Sequence, residues 1–296
     1  DKLKIVTTTL ANIKRGQRIN QSTMNLLVRL TSGVATRGDQ VTFDTYLANT
    51  MRKRRLACEI RRARLVCGMV AETGLAYDRL GVKLSGVDFG APSGLKVTLA
   101  GANKWDAPTT SDGIKDIVEL ARTARTEYGE NYNRVTMSTS AFLKLTAQDS
   151  FKARAQSLQA GSLGSVAVPL ATDDVLRTVI GRLVGMTVEI DDAMYREENE
   201  DGTVASGRYV PEDLVILSNS AYDNSQDIAD FGNAVVTESL VAQLVPGVIG
   251  GVSGEAYGPL AYATGGHNPP EITIWGVQRG FPRKHRETAF AKIDAW

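Results

Sequence analysis

Asp88, Phe89 and Gly90 open the stretch DFGAPSGLKVTLAGANKWDAP with the triplet that protein kinases use to hold Mg²⁺ beside ATP. That chemistry also needs a glycine-rich loop and a strand lysine upstream, and a His-Arg-Asp loop to orient the accepting hydroxyl. None of these precedes Asp88, and the two histidines, His267 and His285, lie far downstream. Asp88 and Gly90 therefore read as turn residues flanking a buried Phe89. The glycine-rich PGVIGGVSGEAYGP (residues 246–259) could cradle a phosphate with its backbone N–H groups. It has no Lys-Ser or Lys-Thr after the glycines, and Glu255 would repel an anion, so a packed loop is the better reading. Hydrolysis finds no G-x-S-x-G elbow and no H-E-x-x-H pair. Asp191 and Asp192 are adjacent carboxylates of the kind found at strand ends. The sequence points to no catalytic residue, cofactor or metal.

The strongest charge feature is a pair of opposed runs. RKRRLACEIRRAR carries seven basic residues, Arg52, Lys53, Arg54, Arg55, Arg61, Arg62 and Arg64, against the single acid Glu59. EIDDAMYREENED carries seven acids, Glu189, Asp191, Asp192, Glu197, Glu198, Glu200 and Asp201, against Arg196. Three readings fit: two solvated faces, a nucleic-acid contact through the basic run, or the basic segment of one chain meeting the acidic tip of a neighbour. The second lacks the interleaved aromatics that base stacking uses. The third would be a head-to-tail contact, which builds rings or lattices.

These residues must be positioned by a chain of 296 residues, 43% apolar, enough for one large domain or two ordinary ones. With 34 basic and 33 acidic residues, the overall field cannot drive strong nonspecific binding to nucleic acid or anionic lipid. Cys58 and Cys67 have no metal-ligand spacing around them and read as plain thiols of a reducing compartment. LVAQLVPGVIGGV (residues 240–252) is interrupted by proline and glycine and is too short to span a bilayer, so no membrane partner is expected. The start, DKLKIVTTTL, lacks both a signal-peptide core and an initiator Met, and reads as trimmed or processed.

Residues 1–50 read as an arm with one short helix around STMNLLVRL. Residues 72–103 have turn residues at nearly every fourth position and read as a long hairpin or extended loop. TTSDGIKDIVELARTARTEYG predicts an amphipathic helix of about 17 residues, its apolar face formed by Ile114, Ile117, Val118, Ala121, Ala124 and Tyr128. Ser111 or Asp112 would cap its start and Gly129 its end. NRVTMSTSAFLKLTA reads as a strand followed by a helix that Ser138 caps, and TVIGRLVGMTVEIDDAMY as β-rich. EENEDGTVASGRY reads as an exposed tip returning through EDLVILSNSAY, and ITIWGVQRGF and ETAFAKIDAW as β-rich or irregular. No internal repeat is present. The fold class is α+β with segregated elements.

VDFGAPSGLKVTLAGANKWDAPTTSDGIKDI, followed by a helix and NYNRVTMSTSAFLKL, resembles the major capsid proteins of tailed bacteriophages of the lambda type, the capsid protein E family. Asp88, Phe89, Gly90, Pro92, Trp105, Pro108, Ile114, Asp116 and Ile117 carry the resemblance. The chain departs with RGFPRK (residues 279–284), where the family often has Arg-Asp-Pro. The resemblance implies the tailed-phage capsid fold: an N-terminal arm (1–50), an extended β-loop with its flanks (51–107), a long spine helix of the peripheral domain (108–133), a mainly axial domain (134–230) and a return through axial and peripheral domains (231–296). It further implies hexamers and pentamers of an icosahedral shell around double-stranded DNA, bound nonspecifically, assembled in the host cytoplasm and ending in the virion capsid. A scaffold, a portal and a decoration protein are the other partners it implies, with a smaller, rounder precursor that expands as DNA enters. An encapsulin-like compartment shell and a phosphate-binding enzyme are the rival readings.

Overall fold

The computed structural model describes residues 11–18, 21–34, 36–71, 78–79, 82–83, 90–160, 172–198, 204–219, 229–233, 235–236, 256–257, 260–267, 270–284 and 286–296. Strand β1 (Ala11–Arg18) leads into helices α1 (Gln21–Thr31) and α2 (Arg37–Ala71). The short strands β2 (Asp78–Arg79) and β3 (Val82–Lys83) pair antiparallel, and β4 (Lys96–Thr98) follows. Next come α3 (Gly113–Tyr128), β5 (Arg134–Met137), α4 (Thr139–Ala147), α5 (Asp149–Ala160), α6 (Asp173–Val184) and β6 (Thr187–Ile190). The remainder is β: β7 (Met194–Glu198), β8 (Val204–Arg208), β9 (Leu214–Ser218), β10 (Ala229–Asn233), β11 (Val235–Val236), β12 (Ala256–Tyr257), β13 (Leu260–His267), β14 (Pro270–Lys284) and β15 (Phe290–Asp294).

From Asp39 to Cys67 the sequence has neither glycine nor proline, and α2 runs through it as one helix of 35 residues, roughly 50 Å at 1.5 Å per residue. An arm boundary at residue 50 thus falls inside a continuous helix. The first turns of α2 escaped the sequence reading because Val41, Thr42 and Thr45 are poor helix formers and no residue before Thr50 is buried on this helix. The missed signal is the cap: Asp39 N–H donates to Thr36 Oγ1 (3.2 Å), and Thr36 N–H donates to Asp39 Oδ2 (3.0 Å). Arg29 on α1 pairs with the same carboxylate at 2.9 Å, which ties the two helices together.

A five-stranded mixed sheet, ordered β4-β15-β9-β5-β6, organises the main core. On one face Val135, Met137, Val215, Leu217, Ala291 and Ile293 pack against Ile114, Ile117, Leu120 and Ala124 of α3, Phe142 and Leu145 of α4, Phe151 of α5 and Ile180 of α6. β9 is buried along its whole length because its other face is covered too. Leu214 and Ile216 meet Ala71 at the end of α2. The second sheet is built on β14, with β1 along one edge and β13 and β10 sharing the other; Gly280 pairs with both Ala11 and Asn233. α2 lies across this sheet, and a Cβ on Gly276 would come within 2.5 Å of the Arg54 carbonyl oxygen. One helix therefore joins both sheets.

α3 matches its sequence signals closely. Asp112 accepts from Lys115 N–H (3.1 Å) at the start, and Gly129 closes the end at φ +68°. Its buried face is Ile114, Ile117, Leu120 and Ala124, whereas Val118 lies on the outer side. Ser138 caps α4, accepting from Ala141 N–H at 3.0 Å. TVIGRLV, read as β-rich, is instead the body of α6. Its Val and Ile residues look β-prone, but Asp173 and Asp174 suit the positive start of a helix and Gly185 stops it at φ +71°. The stretch 246–259 lies outside the described residues except Ala256 and Tyr257 in β12, and residues 240–252 lie outside them entirely.

A division after residue 133 does not separate packed bodies, because β5 and α3 share the core.

Candidate subunit-contact surfaces

Beyond Gly90, the motif residues Ile114 and Ile117 are buried in the main core. Trp105 is 1% exposed. Its backbone N–H donates to Ala295 O (2.8 Å) and its indole Nε1–H to Asp116 Oδ2 (3.0 Å), so the two motif residues hold the start of α3 against the end of β15. Burial pushes the Asp116 carboxyl up, and the Trp105 hydrogen bond opposes that rise. Gly113 must lack a side chain, since a Cβ there would meet Leu145 at 2.5 Å and Trp105 at 2.7 Å. Pro108 is exposed and its carbonyl accepts from Asp149 N–H at 3.0 Å. Gly90 has φ +73°, a backbone conformation that glycine adopts without strain; Asp88 and Phe89 lie outside the described residues.

The basic run lies on α2 and divides by helical phase. Arg61 is buried in the stripe formed by Cys58, Leu65 and Met69, and Arg54 is half-buried over the β14 sheet. Arg64 stacks its guanidinium 4.5 Å from the centroid of the Tyr195 ring. Arg52, Lys53, Arg55 and Arg62 are exposed, with Arg55 reaching Glu59 of its own helix at 3.7 Å. Spaced at 52, 55 and 62, the arginines follow one outer face.

The described part of the acidic run spans the end of β6 and β7, which pairs antiparallel with β8. Asp192 accepts from Thr139 at the start of α4 and from Arg208 of β8, which also reaches Glu212 at 2.9 Å. Those bonds, the Thr139 hydroxyl first, hold the Asp192 carboxyl below the ordinary range. Glu189 faces Arg134 at 3.5 Å. Glu197 and Glu198 sit in β7 opposite Ala205 and Val204, and Glu200 and Asp201 lie outside the described residues.

The two runs meet within one chain, which spacing alone did not show. Tyr195 lies under Arg64 and packs edge-on against Tyr209, ring centroids 5.5 Å apart. Burial, helped by the nearby Asp191 charge, raises the Cys67 thiol to about 11. The inner face of the β7–β8 strand pair is therefore occupied by its own α2. A sequence signal existed: Tyr195 is out of phase with Met194 and Arg196, so one strand face is aromatic and the other exposed.

Among the described residues no group of three or more His, Cys, Asp or Glu is placed to hold a metal ion, and no helix is long and apolar enough to cross a membrane. What this geometry offers is two charged outer surfaces on a mixed helix and sheet body. The sequence profile of phage major capsid protein E matches residues 1–230, and the chain belongs to that family. It is a viral capsid shell protein, and such proteins self-associate into an oligomeric shell that forms the virion capsid. A structure from E. coli CFT073 assigned as a prophage capsid protein shares the fold at 14% identity, covering 97% of this chain and 77% of that one, with a TM-score of 0.56. A phage-related protein from Bordetella bronchiseptica RB50 has 14% identity, 97% and 76% coverage and a TM-score of 0.48; an encapsulin from Synechococcus elongatus PCC 7942 has 13%, 97%, 74% and 0.42. No curated protein sequence matches the chain.

Proposed function

We propose that the chain builds hexamers and pentamers of an icosahedral shell enclosing double-stranded DNA, and that it acts as a structural protein with no catalysis of its own. The family match across residues 1–230 carries this reading. Assembly takes place in the host cytoplasm with a scaffold, a portal and, as in some members of the family, a decoration protein as partners. Residues 1–50 serve as the arm, 51–107 as the extended loop and its flanks, 108–133 as the spine segment, 134–230 as the mainly axial part and 231–296 as the return. These are roles in a shell rather than separately packed bodies.

Within that shell, the exposed Arg52, Lys53, Arg55 and Arg62 of one subunit face the acidic segment Glu197, Glu198, Glu200 and Asp201 of a neighbour. Arg54, Arg61 and Arg64 support the contact from inside by fixing α2 on its own chain. Opposed charge of this kind sets register and encounter rate more than affinity.

Negative-stain electron microscopy and sedimentation of the purified protein test the assembly reading. Closed shells or capsomer rings are expected, and a monomer that persists with scaffold present would overturn it. For the charged contact, reversing the four exposed cations should abolish assembly and reversing both sets should restore it. Failure of the double reversal would refute direct pairing.

A further inference from the structure

The chain leaves the second sheet at Lys284, where β14 ends, and enters the main sheet at Phe290, where β15 begins between β4 and β9. This crossing is clamped from the end of α3. Glu130 is 3% exposed, and its Oε1 accepts from Arg286 Nη2 at 2.6 Å and from the Thr288 hydroxyl at 2.7 Å. Two residues on, the buried Tyr132 donates its hydroxyl to Thr288 O at 2.7 Å. The acid is itself held, because its backbone N–H donates to Ala124 O of α3 (3.0 Å). A buried carboxylate parted from its donors is costly, so it selects the placement of residues 286–288 that supplies them.

A separate tie between the two sheets lies at the end of α2, the helix that crosses the second sheet. There Ala71 packs on Leu214 and Ile216 of β9, and its carbonyl accepts from Lys292 Nζ of β15 at 3.4 Å. A body held at one place can turn about it. A second hold elsewhere removes that freedom, and the Glu130 clamp is such a hold, placed on the short connection where a hinge between the sheets would have to bend.

We infer that Glu130 is a positioning residue that fixes the angle between the two sheets, and through that angle the curvature of the shell. The curvature half rests on the shell reading above. Copies that present their contacts at one angle close into particles of one size, whereas copies whose sheets turn relative to each other meet at several angles and give mixed particles or open sheets.

The test uses full-length chains and replaces the donors rather than the buried acid. Thr288→Val keeps side-chain shape and removes one donor, Arg286→Ala removes the other, and Thr288→Ser keeps the hydroxyl. In the isolated subunit, spin labels carried by unnatural amino acids at the exposed Leu56 of α2 and Leu143 of α4 read the angle as a distance distribution. Wild type and Thr288→Ser should give one narrow distribution, and the Thr288→Val, Arg286→Ala double variant a broadened or shifted one. An unchanged distribution would overturn the proposal whatever becomes of the shell reading; Thr288→Val alone carries the comparison if the double variant does not fold. For curvature, negative-stain electron microscopy of particles grown as for wild type, scaffold included, should show the double variant losing the single size class. Ile117→Val, which weakens the core of α3 without touching the clamp, should retain it. Uniform particles of wild-type size from a variant whose distance distribution has broadened would overturn the link to curvature, as would mixed particles from Ile117→Val. Wild-type chains that form no shells under any condition would overturn the shell reading and the curvature role together, with the distance measurement still deciding the angle.

Discussion

Trp105 and Asp116 show what the family motif does at the scale of single residues. The indole donates into a carboxylate whose burial already raises its pKa. Trp105→Phe keeps an aromatic ring but removes the donor, and should cost about 2 kcal/mol in urea unfolding of the unassembled subunit, since hydrogen bonds to charged groups contribute about 1.5–3 kcal/mol. An unchanged midpoint would show that the ring alone matters. Asp192 gives a pH dependence. Its folded pKa lies below its unfolded one, so its contribution is present above the unfolded value, about pH 4, and is lost as pH falls through the folded value. The stability difference between wild type and Asp192→Asn should therefore shrink on acidification; a difference independent of pH would rule the carboxylate's charge out. Elsewhere Glu130, 3% exposed, accepts from Arg286 and Thr288 and ties the end of α3 to the approach to β15.

Among elements, α2 matters most because both sheets depend on it. Gly276→Ala would push a methyl toward the Arg54 carbonyl and lift the helix from β14; overpacking of this kind costs about 1–3 kcal/mol, measurable as a lower thermal midpoint. A neutral outcome would mean that the helix slides without loss. The cap of α3 should be worth about 1 kcal/mol, read from Asp112→Ala, and more if the Asp112 contact with Arg154 also counts.

For the whole molecule, the chain carries almost no net charge while its outer surfaces are strongly divided. That division suits a subunit that must meet copies of itself in one register. Because Arg52, Arg55 and Arg62 are exposed, changing all three to Glu should leave the unfolding midpoint of the isolated subunit nearly unchanged, within about 0.5 kcal/mol per site, yet slow or abolish shell formation followed by light scattering. Normal assembly kinetics at low salt would show that this face of α2 meets nothing charged.

Local physics made much of this legible in advance. Asp112, the spaced Ile114 and Ile117, and Gly129 determine α3 because caps and a 3.6-residue period act over a few neighbouring residues. Ser138 likewise determines the start of α4, and the DFGAPSG and KWDAP strings carried the family. Local physics also misled where two signals competed: β-branched residues in TVIGRLV hid α6, and the mostly exposed opening of α2, with its poor helix formers, hid its true length. Long-range packing decided the rest. Nothing near Arg61 in the chain says that it is buried while Arg62 is exposed; that follows from which face of α2 packs against the rest of the chain. Nothing near Tyr195 says that Arg64, 131 positions earlier, will lie over its ring. The sequence by itself determined the charges, the caps and the family, whereas only the tertiary structure decided which of those charges remain on the outside for a neighbour to meet.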